Sequence, residues 1–352
     1  MILSSKSRGQ NLVLKAQLVV LGFLIMTCSC ERSRFIHDIT GFTMGTTYSV
    51  RIVTAYRFLD KTIMKEGIDS IFHELNRQMS TWDMESEISM FNRQNSSEPF
   101  FLSKQFMTVL KNGEKIIRET RGSFDYTIYT LLKLWGFGPE ANDPARIPDD
   151  VAISKALNHI GIEKLKIGED NIVKNDPKLK LDLSAIAKGF AVDQAFEWLK
   201  RYGYNDIFIE IGGEIRSSGM NHNRTNWRVG IDLPSPHLIP GKTISSIIEL
   251  NNSAIATSGD YRNFLEEGGV LRAHIIDPRD GYPADNNIIS VSVLAPDCLT
   301  ADAYATALSV LDLKEGRSLI DKQKSLEALW IISDDDENYQ SFGSENFHFT
   351  KL

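Results

Sequence analysis

Some residues of this chain have types and spacings that can do chemistry. The first group lies in Lys180-Leu-Asp-Leu-Ser-Ala-Ile-Ala-Lys-Gly-Phe-Ala-Val-Asp193. Leu179, Leu181 and Leu183 alternate with Lys178, Lys180 and Asp182, which is the period of a half-buried strand. Beyond Ser184, the residues Ile186, Phe190, Ala195 and Leu199 fall at near-helical spacing, and Gly203 supplies a stop. Asp182 and Ser184 therefore sit at a strand-to-helix junction, with Ser184 as the expected N-cap. Lys188 lies about one turn into the helix, where the dipole disfavours a cation unless an anion is held at the same end. Gly189 weakens a helix and is easiest to understand where something must approach closely. A surface lysine beside an incidental glycine is the plainer account of the same pair.

A second group is Asp302 with Thr306, four residues apart on one expected helix face. Carboxylate and hydroxyl oxygens suit a hard cation such as Mg²⁺, which takes few protein ligands and completes its shell with water and phosphate. The competing account is an exposed aspartate and a threonine bonded back to its own helix. A third group is His274 and Asp277, flanking a strand end, with Asp260 in a Thr-Ser-Gly-Asp turn. Histidine suits a general base at neutral pH, but it is also often a structural residue satisfied by backbone. Phe124 and Asp125, with Trp82, can stack on and bond to a flat heterocycle, or simply belong to the core. No Ser-x-x-Lys, Gly-x-Ser-x-Gly, His-Glu-x-x-His or P-loop pattern is present.

The elements that must position these groups are legible in outline. Phe42 to Val53 is expected as one strand, with Gly45 permitting a bulge or a close ligand approach. Met64, Ile68, Ile71, Phe72, Leu75 and Met79 mark a strong amphipathic helix. Ser86 to Asn92 reads as a short capped helix, and Phe106, Val109, Leu110, Ile116 and Ile117 mark another. A proline-rich acidic loop over 139–150 leads to a helix over 151–160. Strands are expected at 207–211, 227–231, 244–250, 274–277, 288–294 and 326–333, with an acidic turn after the last, and Ala254 to Arg262 is expected to leave a strand into a glycine-containing turn. Thr300 is expected to cap a helix carrying Ala303, Ala307, Leu308 and Leu311 on one face. The pattern is mixed α+β, without the regular alternation of a doubly wound sheet. Glycine-containing polar turns follow several strands, which points to one shared cleft.

Composition narrows the setting. The chain has 352 residues, 42% hydrophobic content and a net charge of −7, enough for one large or two smaller domains and unlike a nucleic-acid-binding surface. Lys6, Arg8 and Lys15 precede an apolar run from Ala16 to Thr27 that is short for a membrane span. Cys28-Ser-Cys30 follows, and this order resembles a bacterial lipoprotein signal. Ser29 favours Cys30 over Cys28 as the lipidated residue. The expected organisation is a signal over 1–29, a tether over 30–39 and one domain over 40–352. The body would then be exported and lipid-anchored at the periplasmic side of a bacterial membrane. Cys298, alone in the body, is expected as a buried small hydrophobe.

Several short stretches occur together and in order. They are Met44-Gly-Thr46, Ser80-Thr-Trp82, Ser86-Glu-Ile-Ser89 with Phe91-Asn92, Phe124-Asp-Tyr-Thr127, Leu134-Trp-Gly-Phe137 and Asp182-Leu-Ser-Ala-Ile-Ala-Lys-Gly189. Gly212-Gly-Glu214, Ala256-Thr-Ser-Gly-Asp-Tyr-Arg262, His274-Ile-Ile-Asp-Pro278 and Ala301-Asp-Ala303 with Ala305-Thr306 complete the series. Together they resemble the ApbE family of FAD:protein FMN transferases over roughly residues 40 to 333. The chain departs from the usual family residues at Trp82, at Tyr129-Thr130 and at Asp280. The resemblance implies an ApbE-like mixed fold with one FAD cleft between β-rich and helical parts. It implies Mg²⁺-dependent transfer of the FMN half of FAD to a threonine or serine hydroxyl of an acceptor protein, through a phosphoester bond, with release of AMP. It implies Asp302, Thr306 and the Ala185 carbonyl as metal ligands. It implies Met44, Trp82, Ser123, Phe124, Asp125, Asp182, Lys188 and Ile275 as FAD contacts. His274 or Asp277 would take the proton of the acceptor hydroxyl. The implied partners are flavin-carrying subunits of membrane redox complexes, resembling NqrC and RnfG. An FAD pyrophosphatase giving FMN and AMP, and a non-catalytic FAD-binding lipoprotein, are the alternative functions.

Overall fold

The computed structural model describes residues 33–139, 147–233, 243–259, 264–267, 270–273, 275–333 and 338–352. The first half runs β1 (Phe35–Thr43), β2 (Thr46–Thr54), α1 (Lys61–Met79), α2 (Glu87–Arg93), β3 (Phe100–Phe101), α3 (Lys104–Glu119), α4 (Tyr129–Leu134) and α5 (Asp150–Leu157). Next come β4 (Leu165–Ile167), β5 (Asn171–Lys174), α6 (Ala187–Arg201), β6 (Asp206–Ile211), β7 (Glu214–Ser218), β8 (Trp227–Asp232) and β9 (Ile244–Leu250). The rest is β10 (Ala254–Gly259), β11 (Phe264–Glu267), β12 (Val270–Ala273), β13 (Ile288–Ala295), α7 (Cys298–Val310), α8 (Leu313–Ile320), β14 (Glu327–Ser333), β15 (Tyr339–Gly343) and β16 (Thr350–Lys351).

Period-two alternation builds the centre. Tyr48, Val50 and Ile52 of β2, and Ile207, Ile209 and Ile211 of β6, enter one core, whereas Val53 and Phe208 enter another. In β14 the split is Ala328 and Trp330 against Leu329 and Ile331. Eight strands join in the order β1-β2-β6-β7-β10-β13-β14-β15, every pair antiparallel. Helices α1, α3, α6 and α7 cover one face. On the other, β8 and β9 pack Trp227, Val229, Ile231, Ile248 and Leu250. Helices, one large antiparallel sheet and, among the described residues, three small sheets make the expected α+β architecture.

Helix α1 buries Met64, Ile68, Phe72, Leu75 and Met79, as its spacing requires, and Asp60 caps it by accepting from the Thr62 and Ile63 amides. Ser86 caps α2 through the Ser89 amide. Other expectations are corrected. Strand β1 begins at Phe35, inside the segment expected as a tether. The single strand expected from Phe42 to Val53 is two strands, joined at Met44 and Gly45. Both turn residues have positive φ, 48° and 75°, the conformation that matches a two-residue turn to strand twist. Asp297, not Thr300, caps α7 and accepts from the Thr300 amide. The signal segment with Cys28 and Cys30, most of the 139–150 loop, Asp260, His274 and the acidic turn at 334–337 lie outside the described residues.

The segment Leu179–Leu183 alternates as expected, with its three leucines buried, but it makes no ladder. A single parallel bridge joins Lys180 to Ile128. The buried Asn92 side chain takes the place of a neighbouring strand: the Leu181 amide donates to Asn92 Oδ1 at 2.7 Å, and Asn92 Nδ2 donates to the Leu181 carbonyl at 2.8 Å. Asn92→Ala leaves both backbone groups buried and unpaired, an expected loss of roughly 2–4 kcal/mol. Thermal and urea unfolding check this; an unchanged midpoint would show that water replaces the amide.

Candidate active site

Two cavities meet behind the β1–β2 turn. One, of about 500 Å³, is lined by Met44 of that turn, Met79 and Ser80 at the end of α1, Trp82, and Phe137 after α4. The other, of about 370 Å³, lies between the ends of β6, β7 and β10 and the starts of α6 and α7. Its wall includes Ser123, Phe124, Asp125, Ala185, Ile275, Asp302 and Thr306. Leu132, Asp182, Ser184 and Lys188 line both, so the two form one cleft with Asp182 and Lys188 at the waist.

The waist follows from local structure. The Asp182 amide donates to the Tyr126 carbonyl at 2.8 Å, tying the strand-like segment to the Ser123–Tyr126 wall. Asp182 Oδ1 accepts from the Ser184 amide at 2.9 Å and from its hydroxyl at 2.5 Å. Ser184 is thereby turned back on Asp182 and does not cap α6, whose N-cap position is Ile186 with no side-chain bond. In the first turn of α6 the Ala187 amide donates to the Leu183 carbonyl at 2.8 Å and the Gly189 amide to Asp302 Oδ2 at 2.9 Å, so the positive end of the helix dipole, beside Lys188, faces the cleft. Burial raises the Asp182 pKa, against the two Ser184 hydrogen bonds.

Lys188 is not a surface lysine. Its Nζ donates to Glu214 Oε1 at 2.5 Å and lies 3.9 Å from Asp302 Oδ1. Burial opposes its charge, but the Asp302 and Glu214 carboxylates outweigh it and hold the pKa above the ordinary lysine value. Asp302 projects from a helix whose Ala301, Ala303, Ala305 and Ala307 are all buried. Burial pushes its pKa up, with Lys188 opposing. Its Oδ2 accepts from the Gly189 amide at 2.9 Å. The close approach that Gly189 permits is that of α7 itself: a Cβ there would sit 2.3 Å from the Cys298 carbonyl oxygen. One turn further along α6, Asp193 accepts from the Cys298 and Leu299 amides, each at 2.9 Å, and from Arg216 at 2.8 Å.

The donors for a cation fit a hard, oxygen-loving ion. Asp302, Thr306 and Ala185 line the same half of the cleft. Thr306 makes no back-bond to its helix and has no hydrogen-bond partner among the described residues, whereas Ser309 on the same helix bonds the Ala305 carbonyl at 2.9 Å. Glu214 Oε2 is buried with no hydrogen-bond partner in the same wall, an unmet negative oxygen. Among the described residues no three His, Cys, Asp or Glu side chains converge, so a cation would rely on neutral oxygens and bound phosphate.

The remaining expected residues divide. Asp125 is buried, accepts from the Thr127 amide and hydroxyl at 2.8 and 2.7 Å, and has a pKa pushed up to about 6 by burial. Ser123 donates to the Thr120 carbonyl at 3.1 Å, so its hydroxyl proton is engaged. Phe124 and Trp82 do not share a wall: Phe124 is buried in the inner half, whereas Trp82 is 73% exposed at the outer one. Asp277 does not line the cleft. Its carboxylate is held by Arg279 through Nε at 2.9 and 3.0 Å and Nη2 at 2.6 Å, and its backbone carbonyl accepts from the Gly281 amide at 2.8 Å, closing the turn. His274 is outside the described residues, and its neighbour Ile275 lines the inner half. Cys298 is buried, and burial raises its thiol pKa well above the usual value. Glu214 and Asp193 were not singled out from the sequence. Glu214 stands in the Gly-Gly-Glu stretch, and that local signal could have found it.

Comparison with known proteins places this geometry. A model of the ApbE family matches residues 44–330. A Vibrio cholerae protein named FAD:protein FMN transferase is 39% identical over 330 residues, 94% of this chain and 97% of its own length. A Haemophilus influenzae protein of the same name is 34% identical over 94% of this chain and 96% of its own length. Among solved structures, the flavin transferase ApbE from Vibrio cholerae is 37% identical and superposes with a TM-score of 0.80, covering 89% of this chain and 98% of that one. The apo flavinyl transferase ApbE from Pseudomonas stutzeri, 30% identical, also gives 0.80, covering 89% of this chain and 96% of its own.

Proposed function

The chain belongs to the ApbE family, and from that membership and the geometry of the cleft we propose that it moves the FMN half of FAD onto a threonine or serine hydroxyl of an acceptor protein, with AMP as the leaving group. The observation that supports this most is the convergence of Met44, Trp82, Asp125, Asp182, Lys188 and Asp302 on one continuous cleft. FAD has two flat ends joined by a pyrophosphate. A cleft of two halves suits that shape, with a lysine and a helix N-terminus at the waist.

In the reaction the acceptor Oγ attacks the FMN phosphorus. A new P–O bond forms, the bridging P–O bond of the pyrophosphate breaks, and AMP departs with the bonding electrons. Lys188 and the amide end of α6 hold fixed positive potential where that charge develops. Mg²⁺ held by Asp302, Thr306 and the Ala185 carbonyl would supply further neutralisation of the pyrophosphate. The hydroxyl proton needs a base. Asp277 is engaged by Arg279, so the role falls to His274. His274→Ala is expected to slow transfer about 10²–10⁴-fold while FAD binding is kept. Transfer at the wild-type rate would remove His274 from the mechanism.

The direct test is mass spectrometry of a threonine-containing acceptor domain incubated with the protein, FAD and Mg²⁺. Gain of one FMN, with AMP released, supports the transferase. Free FMN and AMP beside an unmodified acceptor would make the enzyme a pyrophosphatase. The acceptors proposed are exported flavin-carrying subunits of membrane redox complexes, resembling NqrC and RnfG, with this enzyme lipid-anchored through Cys30 on the same side. Labelled fatty acid should enter the wild-type chain and not Cys30→Ala.

A further inference from the structure

Glu214 takes no part in the reaction proposed for the cleft, yet it stands beside the groups that do. It is the first residue of β7, brought to the cleft wall by the Gly212–Gly213 turn, where both glycines have positive φ. It is buried and pairs with Ile211 across the β6–β7 hairpin, so its backbone is fixed. Its Oε1 accepts from Lys188 Nζ at 2.5 Å, and its Oε2 is shut from solvent without a hydrogen-bond partner. Buried polar groups are normally satisfied, so a half-satisfied carboxylate calls for a reason other than packing. The same ammonium lies 3.9 Å from Asp302 Oδ1. Asp302 Oδ2 is taken by the Gly189 amide, whereas Oδ1 accepts no hydrogen bond among the described residues. Two buried carboxylates thus compete for one ammonium, and Glu214 holds it.

We propose that Glu214 is a positioning residue that acts through Lys188: it holds the ammonium off Asp302, so that Asp302 Oδ1 stays open to a divalent cation. Lysine is a point charge on a flexible stem and follows the stronger acceptor. Among the described residues, Asp302 is the only other carboxylate within 4 Å of Lys188 Nζ. An ammonium released by Glu214 therefore turns to Asp302, and closing 3.9 Å to hydrogen-bond length is a shift of about 1 Å. The bond so formed is charge-assisted, and a cation would have to displace it. Glu214 is not itself a ligand in this account, because its free oxygen is closed to the cleft. The inference rests on the reading of Asp302 as a cation-holding residue. It goes beyond that reading by giving the reason a lysine can stand beside that carboxylate without covering it.

The probe is Mn²⁺ alone, titrated into the purified protein without FAD, so that any contact of Lys188 with phosphate does not enter. Free Mn²⁺ is read by electron paramagnetic resonance. Glu214→Gln keeps the side-chain shape and removes the charge that holds Lys188. It is expected to weaken Mn²⁺ binding about 10–100-fold, the range for groups that orient a metal ligand. A crystal structure of that variant should show Lys188 Nζ within hydrogen-bond reach of Asp302 Oδ1. The double variant Glu214→Gln, Lys188→Met loses one charge of each sign, so the cleft keeps its net charge and has no ammonium to cover Asp302. It should recover wild-type Mn²⁺ binding. Weak binding in a folded double variant would make Glu214 a ligand or a support and overturn the proposal. Weak binding in Glu214→Gln with Lys188 unmoved would overturn it too, since lost charge alone would then suffice. So would wild-type affinity in Glu214→Gln. Should the double variant fail to fold, the position of Lys188 in the single variant decides. A wild-type protein that binds no Mn²⁺ would instead remove the cation reading of Asp302, and the positioning role with it.

Discussion

Asp302→Asn is expected to lower FMN transfer by about 10²–10³-fold without unfolding the protein. Asparagine keeps the shape and can still accept from the Gly189 amide, which Asp302 Oδ2 now does at 2.9 Å. The lost property is charge. Lys188 keeps its bond to Glu214 Oε1, so no buried cation is stranded. Asp302 is the one charged residue of α7, and burial pushes its pKa up. Neutralising it should leave stability level or raise it slightly. Activity and melting temperature therefore part company: transfer collapses, whereas the thermal midpoint holds. Transfer within about tenfold of wild type would remove Asp302 from any cation or phosphate role. A large fall in melting temperature would mean that the charge holds the α6–α7 contact rather than the chemistry.

The local periods of the chain told much of this in advance. Helix α1 was readable because five of its residues point one way at intervals of three and four, and that spacing suffices to bury them. The central strands were readable from β-branched alternation. The cleft residues were readable because each sits in a short stretch whose neighbours constrain it, as Asp182 and Lys188 do at the two ends of one turn. The hairpin at Met44 and Gly45 was missed because only one of its two positive-φ residues is glycine. Other misses have a different cause. Asn92 stands 89 positions from Leu181, and Gly189 stands 113 from Asp302. Nothing local in a single chain says that a polar amide will complete a distant backbone, or that a helix will need a bare Cα because another helix crosses there.

Gly189→Ala is the strongest test of that crossing. The added methyl would lie 2.3 Å from the Cys298 carbonyl oxygen, 2.7 Å from its carbonyl carbon and 2.8 Å from Asp302 Cβ. The first two are backbone atoms at the start of α7, so no side chain can rotate away. The Cys298 and Leu299 amides are also tied to Asp193 on α6, which limits how far the helices can slide. Relief requires the two helices to part, which breaks the Gly189 to Asp302 bond and opens packing among Ala301, Ala305 and Phe190. Alanine is the better helix former by about 1 kcal/mol, so propensity alone predicts stabilisation. Overpacking against fixed backbone outweighs it, and the expected net loss is about 2 kcal/mol. Urea unfolding at constant FAD and Mg²⁺ measures this directly. Transfer should fall together with stability, since Lys188 and Asp302 are both displaced. A variant as stable as wild type would show that α6 and α7 separate freely, and the cleft would then not depend on their contact.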